Sequence, residues 1–218
     1  RPWSNSELLQ GERDTLGIFM GGHPLDDYKK EIKELNITKI RNLKMGNNTV
    51  LAGVIVGIRR IKTKSNDRLI IFTLDDKSSR LDIVLYSNEA ERYQDLLAKD
   101  KVIVVVGKVS EDRFTGGLRM QANHIMDMLE AKIAKTNTIR ITLSDDLLQK
   151  SNVIENIAEV LSEFTPGNCN ILLEYSTTEG RGVVVPDSNK WRVTLTQRLL
   201  DRLYLLIPED TITLHYHY

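Results

Sequence analysis

The sequence has little cysteine and no long apolar run. Its 218 residues include one cysteine, Cys169, which excludes an internal disulfide and a zinc site built from several cysteines. No apolar run approaches the roughly 20 residues that a membrane-spanning helix needs. The first residues, RPWSNSELLQGERD, lack the apolar segment of a signal peptide. We therefore expect a cytoplasmic protein without membrane contact, and we interpret the absence of an initial methionine as the sign of a fragment.

Motifs that hold phosphates, metals or catalytic groups are also missing. Neither GxGxxG nor GxxxxGK occurs in the sequence. Cys169 has no histidine or acidic residue at the spacing of a catalytic triad. His215 and His217 share one face of a predicted strand, but no further metal ligand accompanies them. The sequence therefore predicts no catalytic residue, no metal site and no bound cofactor in this part of the protein.

Asp75 and Asp76 form an adjacent acidic pair, which could suggest metal-dependent chemistry. A two-metal site needs carboxylates from separate elements that converge on ions about 4 Å apart. Neighbouring residues of a strand point to opposite faces, so one pair rarely builds such a site. Aspartate is also common in tight turns, where its side chain accepts hydrogen bonds from the local backbone. We therefore interpret DDKSS as a hairpin turn.

The charge is balanced overall but unevenly distributed. Thirty basic and 30 acidic residues give a net charge of zero, which argues against a protein that coats DNA non-specifically. Residues 59–68, RRIKTKSNDR, nevertheless contain five basic residues and one acidic residue. A local basic loop of this kind is compatible with modest, salt-sensitive contact to a nucleic acid.

The hydrophobic period changes near residue 48. Short helical segments precede this point, and β-branched runs after it predict five strands with a helix between the third and the fourth. The strands are TVLAGVIVGIRRIK, RLIIFTL, RLDIVLY, KVIVVVGKVS and LRMQANHIMDM, and the helix is NEAERYQDLLAKD with Asn88 as its N-cap. This order predicts an OB barrel, which binds nucleic acids or sugars on the face of strands 2 and 3. An SH3-like barrel and two unrelated meanders are the alternatives.

A second unit follows the barrel, with the predicted order β-α-β-β-α-β. This order describes a small α+β domain in which two helices cover one side of a sheet. After the strand NTIRITL, Ser144 is predicted to cap one long helix that ends at Phe164. Asp145 and Asp146 lie in its first turn, where the helix dipole favours acidic residues. A shorter helix and the final strand, TITLHYHY, complete the unit.

The predicted nucleic-acid site combines cations and aromatic residues around the barrel groove. Basic side chains near the loops after strands 1 and 4 can contact a phosphate backbone. These residues are Arg59, Arg60, Lys62, Lys64, Arg68, Arg113 and Arg119. Tyr86 and Phe114 are candidate platforms for stacked bases. Phe72 is a weaker candidate, because a phenylalanine within IIFTL is more often part of the core.

Several segments together resemble the C-terminal region of the alpha subunit of bacterial replicative DNA polymerase III. The specific parts are GHPL within ERDTLGIFMGGHPLDDY, the turn LDDKSSRL, the loop FTGGLRM and the tail segment WRVTLTQRLLDRLYLLI. The resemblance implies that residues 1–47 end a clamp-binding domain and that residues 48–130 form an OB domain that binds single-stranded DNA. It also implies that residues 131–218 form a domain that binds the tau subunit of the clamp loader.

The same resemblance implies where the family's activities reside. The polymerase active site of the family lies N-terminal to this region, so the parent would be a nucleotidyltransferase while the fragment itself would be inactive. The peptide that binds the sliding clamp would also precede residue 1. By exposure and position, we expect the tau-binding surface to include Arg198, Arg202, Tyr204, His215, Tyr216, His217 and Tyr218.

Two other functions remain open at this point. OB barrels also bind proteins, and a neutral chain with an acidic C-terminal part suits a protein-interaction module. An anticodon-binding OB domain of a tRNA synthetase would instead prefer structured RNA. The basic loop is the feature that discriminates, because it should matter for binding DNA and not for binding a protein partner.

Overall fold

The computed structural model describes residues 22–62, 68–86, 91–112, 115–176, 178, 180–186 and 191–216. The chain divides into two compact units, with the boundary between Ala131 and Lys132. We call them the barrel unit and the tail unit. No helix among the described residues is long and apolar enough to cross a membrane.

The barrel unit contains five strands that close into a barrel. They are β1 (Asn48–Lys62), β2 (Arg68–Asp75), β3 (Arg80–Tyr86), β4 (Val102–Glu111) and β5 (Leu118–Met126). The order around the barrel is β1-β2-β3-β5-β4, and β1 pairs with both β2 and β4. All pairs are antiparallel except β3 with β5. The predicted five-stranded OB barrel is therefore confirmed.

Strand β1 changes partner along its length because it bends. Its first half pairs with β4 and its second half with β2, and a bulge lies between Ile55 and Gly57. Gly53 lies where a side chain does not fit, because an added Cβ would come within 2.8 Å of the carbonyl oxygen of Asp75. The bulge and the close approach allow one long strand to close the barrel.

The barrel interior is filled by alternate residues of the five strands. Phe72 on β2 and Ile83 on β3 are fully buried and pair across the two strands. Leu51 and Ile55 of β1 and Met120 of β5 belong to the same cluster. Phe72 is thus part of the core, as its sequence context favoured, and it is not a surface for bases.

The prediction of an α-helix between β3 and β4 is wrong. The described part of this segment is one 3-10 turn, Glu91–Tyr93, followed by irregular backbone. Tyr93 and Leu97 are buried in the barrel core, as the helical spacing predicted. The proposed cap Asn88 lies outside the described residues. A segment this short gains little from helix formation alone, so packing of Tyr93 and Leu97 determines its path.

A helical segment precedes the barrel and covers part of its outer surface. It consists of a 3-10 helix (Pro24–Tyr28), α1 (Lys29–Glu34) and a second 3-10 helix (Ile40–Asn42). Leu25 packs in one cluster with Val54 of β1 and Val104 of β4. Val54 and Val104 are therefore covered and closed to ligands.

The tail unit has a four-stranded sheet with the order β8-β7-β6-β9. Its strands are β6 (Thr136–Ser144), β7 (Asn170–Ser176), β8 (Arg181–Val184) and β9 (Ile212–Tyr216), and β6 pairs with β7 in parallel. The helices are α2 (Met128–Lys135), which crosses the boundary between the two units, α3 (Asp145–Leu148), α4 (Val153–Ser162) and α5 (Gln197–Tyr204). Ile139 and Ile141 of β6 share one core cluster with Ile157 of α4 and Leu199 of α5.

The long helix predicted after Ser144 is divided into α3 and α4. Asn152 has φ 61°, a left-handed conformation that interrupts a right-handed helix. Ser144 occupies the N-cap position, but its side chain makes no capping hydrogen bond. Asp145 instead accepts a hydrogen bond from the backbone N–H of Thr178 at 2.8 Å. The helix α2 was not predicted, because its residues were assigned to the end of the fifth strand and to a linker.

Candidate nucleic-acid interface

The outer side of β1, β2 and β3 beyond the bulge forms an open surface, which we call the open sheet face. Its positions alternate with the buried residues Phe72 and Ile83, so their side chains point away from the core. Strand register aligns them in rows across the sheet. The rows are Ile61, Leu69 and Tyr86; Arg59, Ile71 and Val84; and Gly57, Thr73 and Asp82.

The row at the end of the sheet is an exposed apolar platform. Tyr86 is 46% exposed and Ile61 is 42% exposed, although large apolar side chains are usually buried. Leu69 lies between them on β2 and is half-buried. Tyr86 is therefore exposed, as a platform for a stacked base requires, and its stacking role stays a prediction.

The middle of the open sheet face carries an ion pair that the sequence did not predict. The guanidinium of Arg59 on β1 donates a hydrogen bond to the carboxylate of Asp82 on β3. Thr73, on the strand between them, donates a hydrogen bond to the same carboxylate at 2.7 Å. Arg59 was predicted to contact phosphate. In the structure its guanidinium already forms an ion pair with Asp82, so a phosphate would have to share that guanidinium with the carboxylate.

Arg119 has a similar arrangement near the start of β5. Its guanidinium lies 3.9 Å from the carboxylate of Asp112, and its Cα pairs with that of Asp82 on β3. Exposed ion pairs of this kind are worth about 0–1 kcal/mol. A phosphate can therefore displace either carboxylate at small cost, so both arginines remain candidate contacts.

Arg60, Lys62 and Arg68, which were also predicted to contact phosphate, belong to the ends of β1 and β2 that face the loop between them. Arg60 and Lys62 are exposed at the end of β1, and neither forms an ion pair with another described residue. The backbone of Arg68 pairs with that of Lys62. Lys64, Arg113 and Phe114 lie outside the described residues, so their predicted contacts stay predictions.

The acidic pair at the β2–β3 turn has a structural role. One Asp76 carboxylate oxygen accepts hydrogen bonds from the backbone N–H groups of Ser78 and Ser79, at 2.8 and 2.9 Å. Asp75 accepts one from the backbone N–H of Lys77 at 2.8 Å and one from the side chain of Arg80 at 2.7 Å. The turn interpretation is confirmed. Among the described residues, no group of three or more potential metal ligands occurs.

His23 connects the helical segment to this turn. Its Nδ1 accepts a hydrogen bond from the backbone N–H of Leu25 at 3.2 Å and caps the first 3-10 helix. Its Nε2 lies 3.5 Å from a carboxylate oxygen of Asp75. Burial lowers the pKa of His23, and the carboxylates of Asp75 and Asp26 oppose that shift.

The residues predicted to bind a partner in the tail unit are only partly exposed. Arg198 on α5 is exposed, whereas Arg202 donates two hydrogen bonds to Glu163, both at 2.9 Å. These bonds lower the pKa of Glu163. Tyr204 is half-buried against the core, and this burial raises its pKa. The exposure that motivated these assignments is therefore clear only for Arg198 among these three.

The C-terminal strand provides the rest of the predicted partner surface. His215 and Tyr216 lie on β9, an edge strand of the tail sheet, and both are half-buried. His217 and Tyr218 lie outside the described residues.

Cys169 is fully buried, and burial raises the pKa of its thiol to about 11, so it lacks the thiolate character of a nucleophile.

Comparison with known proteins gives a family and several relatives. A family profile described as "OB-fold nucleic acid binding domain" matches residues 49–128. The DNA polymerase III subunit alpha of Pasteurella multocida is 34% identical over 217 residues, which are 98% of this chain and 19% of that protein. The same subunit of Escherichia coli K12 is 33% identical over 220 residues, 99% of this chain and 19% of that protein. The chain thus spans about a fifth of the length of these relatives.

Solved structures of OB domains also match the barrel. The second OB-fold domain of replication protein A from Methanococcus maripaludis covers 41% of this chain and 92% of its own, with 18% identity and a TM-score of 0.34. The second single-stranded DNA-binding protein of Mycobacterium smegmatis covers 39% and 92%, with 17% identity and a TM-score of 0.34. Scores of this size add nothing to the fold assignment, which rests on the strand order and closure of the barrel.

Proposed function

We propose that the barrel unit of this chain binds single-stranded template DNA in replication. The premise is that the chain corresponds over nearly its whole length to a segment of bacterial DNA polymerase III alpha subunits, as its motifs predicted. The observation that supports the proposal is the exposed platform of Tyr86 and Ile61, with the cation Arg59 in the next row of the same face. DNA synthesis and sliding-clamp binding are proposals for the longer cytoplasmic protein and not for this chain.

The proposed binding mode combines stacking with phosphate contact. A base stacked on Tyr86 would contribute about 1–3 kcal/mol. Arg59 lies on the same face and would contact a neighbouring phosphate, whereas Arg60 and Lys62 alternate to the other face of β1 and would contact phosphates that pass around the end of the sheet. With few cationic contacts, binding of the isolated chain is weak and decreases as salt concentration rises.

A fluorescence titration tests this proposal. The chain is titrated with a labelled single strand and with the matching duplex, each at two salt concentrations. We expect tighter, salt-dependent binding of the single strand. The double variant Lys62→Ala/Lys64→Ala should weaken binding to all single strands alike, whereas Lys99→Ala/Lys150→Ala, which removes the same charge elsewhere, should not. No binding of a single strand at low salt would contradict the proposal.

We also propose that the tail unit docks onto the tau subunit of the clamp loader. The exposed Arg198 on α5 and the position of β9 at one end of the sheet order support it, because an edge strand can pair with a peptide strand. Surface plasmon resonance against tau measures the interaction directly. Arg198→Ala should weaken binding and Lys150→Ala should not. Equal affinities for wild type and Arg198→Ala would remove this residue from the interface.

A protein-interaction module is the second candidate function. It is favoured by one observation: Arg59 and Arg119 already have carboxylate partners, Asp82 and Asp112, beside an apolar platform. A partly apolar surface whose arginines already have carboxylate partners suits contact with a protein as well as with a base. A chain that binds tau but no DNA at low salt would support this candidate.

A further inference from the structure

A groove separates the helical segment from the barrel, and we call it the helix–barrel groove. Its volume is about 610 Å³, within the range of roughly 300–1,000 Å³ that is typical of ligand sites. Lys33 of α1 and Lys39 after it line one side, and Lys77 and Ser78 of the β2–β3 turn line the other. None of the residues of the open sheet face lines this groove.

The rim of the groove is basic. Its cationic residues are Lys29, Lys33, Lys39, Arg41 and Lys77, and its carboxylates are Asp26 and Asp76, which gives a net charge of +3. All five cations are exposed. Glu31 and Glu34, which also belong to α1, do not line the groove. The charge of the groove therefore attracts an anion.

Three of the five cations are available to a ligand. Asp26 engages the other two, because its carboxylate lies 3.1 Å from the ammonium of Lys29 and 2.9 Å from that of Lys77. The side chains of Lys33, Lys39 and Arg41 form no ion pair with another described residue. An incoming phosphate can thus contact these three residues without breaking an existing ion pair.

The backbone that carries Lys39 and Arg41 is held by contacts across the groove. A carboxylate oxygen of Asp76 accepts a hydrogen bond from the backbone N–H of Ile40 at 2.6 Å. The hydroxyl of Ser78 accepts one from the backbone N–H of Arg41 at 3.4 Å. These bonds fix the segment that carries Lys39 and Arg41 onto the turn. Preorganised groups lose less conformational entropy when a ligand binds.

The floor of the groove is apolar. Leu25, Ile32, Ile37 and Ala52 line it beneath the basic rim. An apolar floor below a basic rim matches the two parts of a nucleotide, because a weakly polar base or sugar is attached to a charged phosphate. From this combination we propose that the helix–barrel groove is a second nucleic-acid contact, which binds phosphates of a single strand and covers the attached sugar or base.

The groove is connected to the open sheet face through one hairpin. Lys77 lies in the turn that joins β2 and β3, and Leu69 and Tyr86 pair at the opposite end of these strands. The eight residue-to-residue steps from Leu69 to Lys77 span roughly 26 Å. The inference rests on the proposed function, because a strand that stacks on Tyr86 would follow the hairpin to reach the groove.

The test compares the wild-type chain with two triple variants. The groove variant is Lys33→Ala/Lys39→Ala/Arg41→Ala, and the control variant is Lys99→Ala/Lys135→Ala/Lys150→Ala, which loses the same charge at exposed sites outside the groove. Each is titrated with a 16-nucleotide oligothymidylate at several salt concentrations. Isoleucine methyl NMR spectra report Ile32 and Ile37 at the groove floor and Ile61 on the open sheet face.

We expect the groove variant alone to bind the oligonucleotide more weakly, by roughly fivefold for each lost phosphate contact. With two lost contacts, the slope of log K against log salt should become shallower by about 1.4. The methyl signals of Ile32 and Ile37 should shift in the wild-type chain. Thermal unfolding of all three proteins shows whether they fold equally well.

Three results would overturn the inference. Equal affinity and salt slope in the two triple variants would show that DNA does not use the groove, while the proposed function stands. If a 16-residue polyglutamate shifts the Ile32 and Ile37 signals as strongly as the oligonucleotide, the groove binds acidic peptides instead. If the wild-type chain does not bind the oligonucleotide at all, the proposed function and this inference both fail.

Discussion

Arg59 and Asp82 form an ion pair that spans the open sheet face from β1 to β3, above Thr73 on the strand between them. The pair places a carboxylate in the middle of a surface proposed to bind a polyanion. Asp82 thus opposes phosphate binding in two ways, since it repels the ligand and occupies Arg59. We therefore expect Asp82 to limit the affinity of the proposed DNA-binding surface.

The first prediction concerns this carboxylate. Asp82→Asn removes the negative charge and releases Arg59, so single-stranded DNA should bind roughly fivefold more tightly at low salt. Asp95→Asn, at an exposed site of the barrel unit away from the open sheet face, should have little effect. Fluorescence titration of the three proteins measures the difference. Weaker binding by Asp82→Asn would show that the ion pair itself positions Arg59 for the ligand.

The second prediction tests the aromatic platform. Tyr86→Ala should reduce affinity for a single strand by about five- to 150-fold, because it removes one stacked base. Tyr86→Phe keeps the ring and should bind nearly as tightly as the wild-type chain. Tyr175→Ala removes a tyrosine of similar exposure from the tail unit and serves as the control. If Tyr86→Phe loses as much affinity as Tyr86→Ala, the hydroxyl and not the ring makes the contact.

The third prediction concerns pH. Burial lowers the pKa of His23 below 6.5, so the unfolded chain binds this proton at a higher pH than the folded chain does. The contribution of His23 to stability is complete above pH 6.5 and decreases as the pH falls from there toward the folded-state pKa. The free energy of unfolding in urea should therefore increase from pH 5 to pH 7.

A matched variant isolates the contribution of His23 from that of other groups. His23→Asn keeps a side-chain acceptor for the N–H of Leu25, and it cannot be protonated. The variant should show a smaller increase in stability between pH 5 and pH 7 than the wild-type chain. Identical pH profiles for the two proteins would show that His23 does not cause the increase in stability over this range.

The fourth prediction tests barrel closure with two glycines. At Gly107 of β4, an added Cβ would overlap the backbone carbonyl of Gln121 on β5, so Gly107→Ala should destabilise the barrel by about 1–3 kcal/mol. At Gly57 of β1, no atom lies within 4 Å of an added Cβ. Gly57→Ala should leave the free energy of unfolding within about 1 kcal/mol of wild type. Urea unfolding measures both, and equal losses would contradict the clash.

Much of the barrel was predictable because its signals are local. Leu81, Ile83 and Leu85 alternate with exposed or half-buried residues along β3, and this period of two directly indicates a strand with one buried face. The turn at Asp75 and Asp76 was predictable for the same reason, since aspartate carboxylates accept hydrogen bonds from nearby N–H groups. Local chemistry determines both features, and tertiary packing only completes them.

Helix boundaries were less predictable, because packing and not periodicity determines them. The apolar spacing after Ser144 indicates one continuous helix, but the chain turns at Asn152 so that α3 and α4 can each contact the core. The segment before β4 has helical spacing, yet burial of Tyr93 and Leu97 in the barrel leaves it only one 3-10 turn. Spacing correctly identified Tyr93 and Leu97 as buried before β4. After Ser144 it placed Ile154 in one apolar stripe with Leu147 and Ile157, but Ile154 is 48% exposed.

The sequence by itself determined the kind of protein: an OB barrel, a hairpin turn without metal chemistry and a basic region beside candidate aromatic residues. The tertiary structure decided which of these residues meet. Arg59 and Asp82 are 23 positions apart, and Lys33 and Lys39 of the helical segment are far along the chain from Lys77 in the β2–β3 turn. Strand register and the docking of the helical segment bring them together, and neither follows from local pattern, because both depend on how distant apolar surfaces pack.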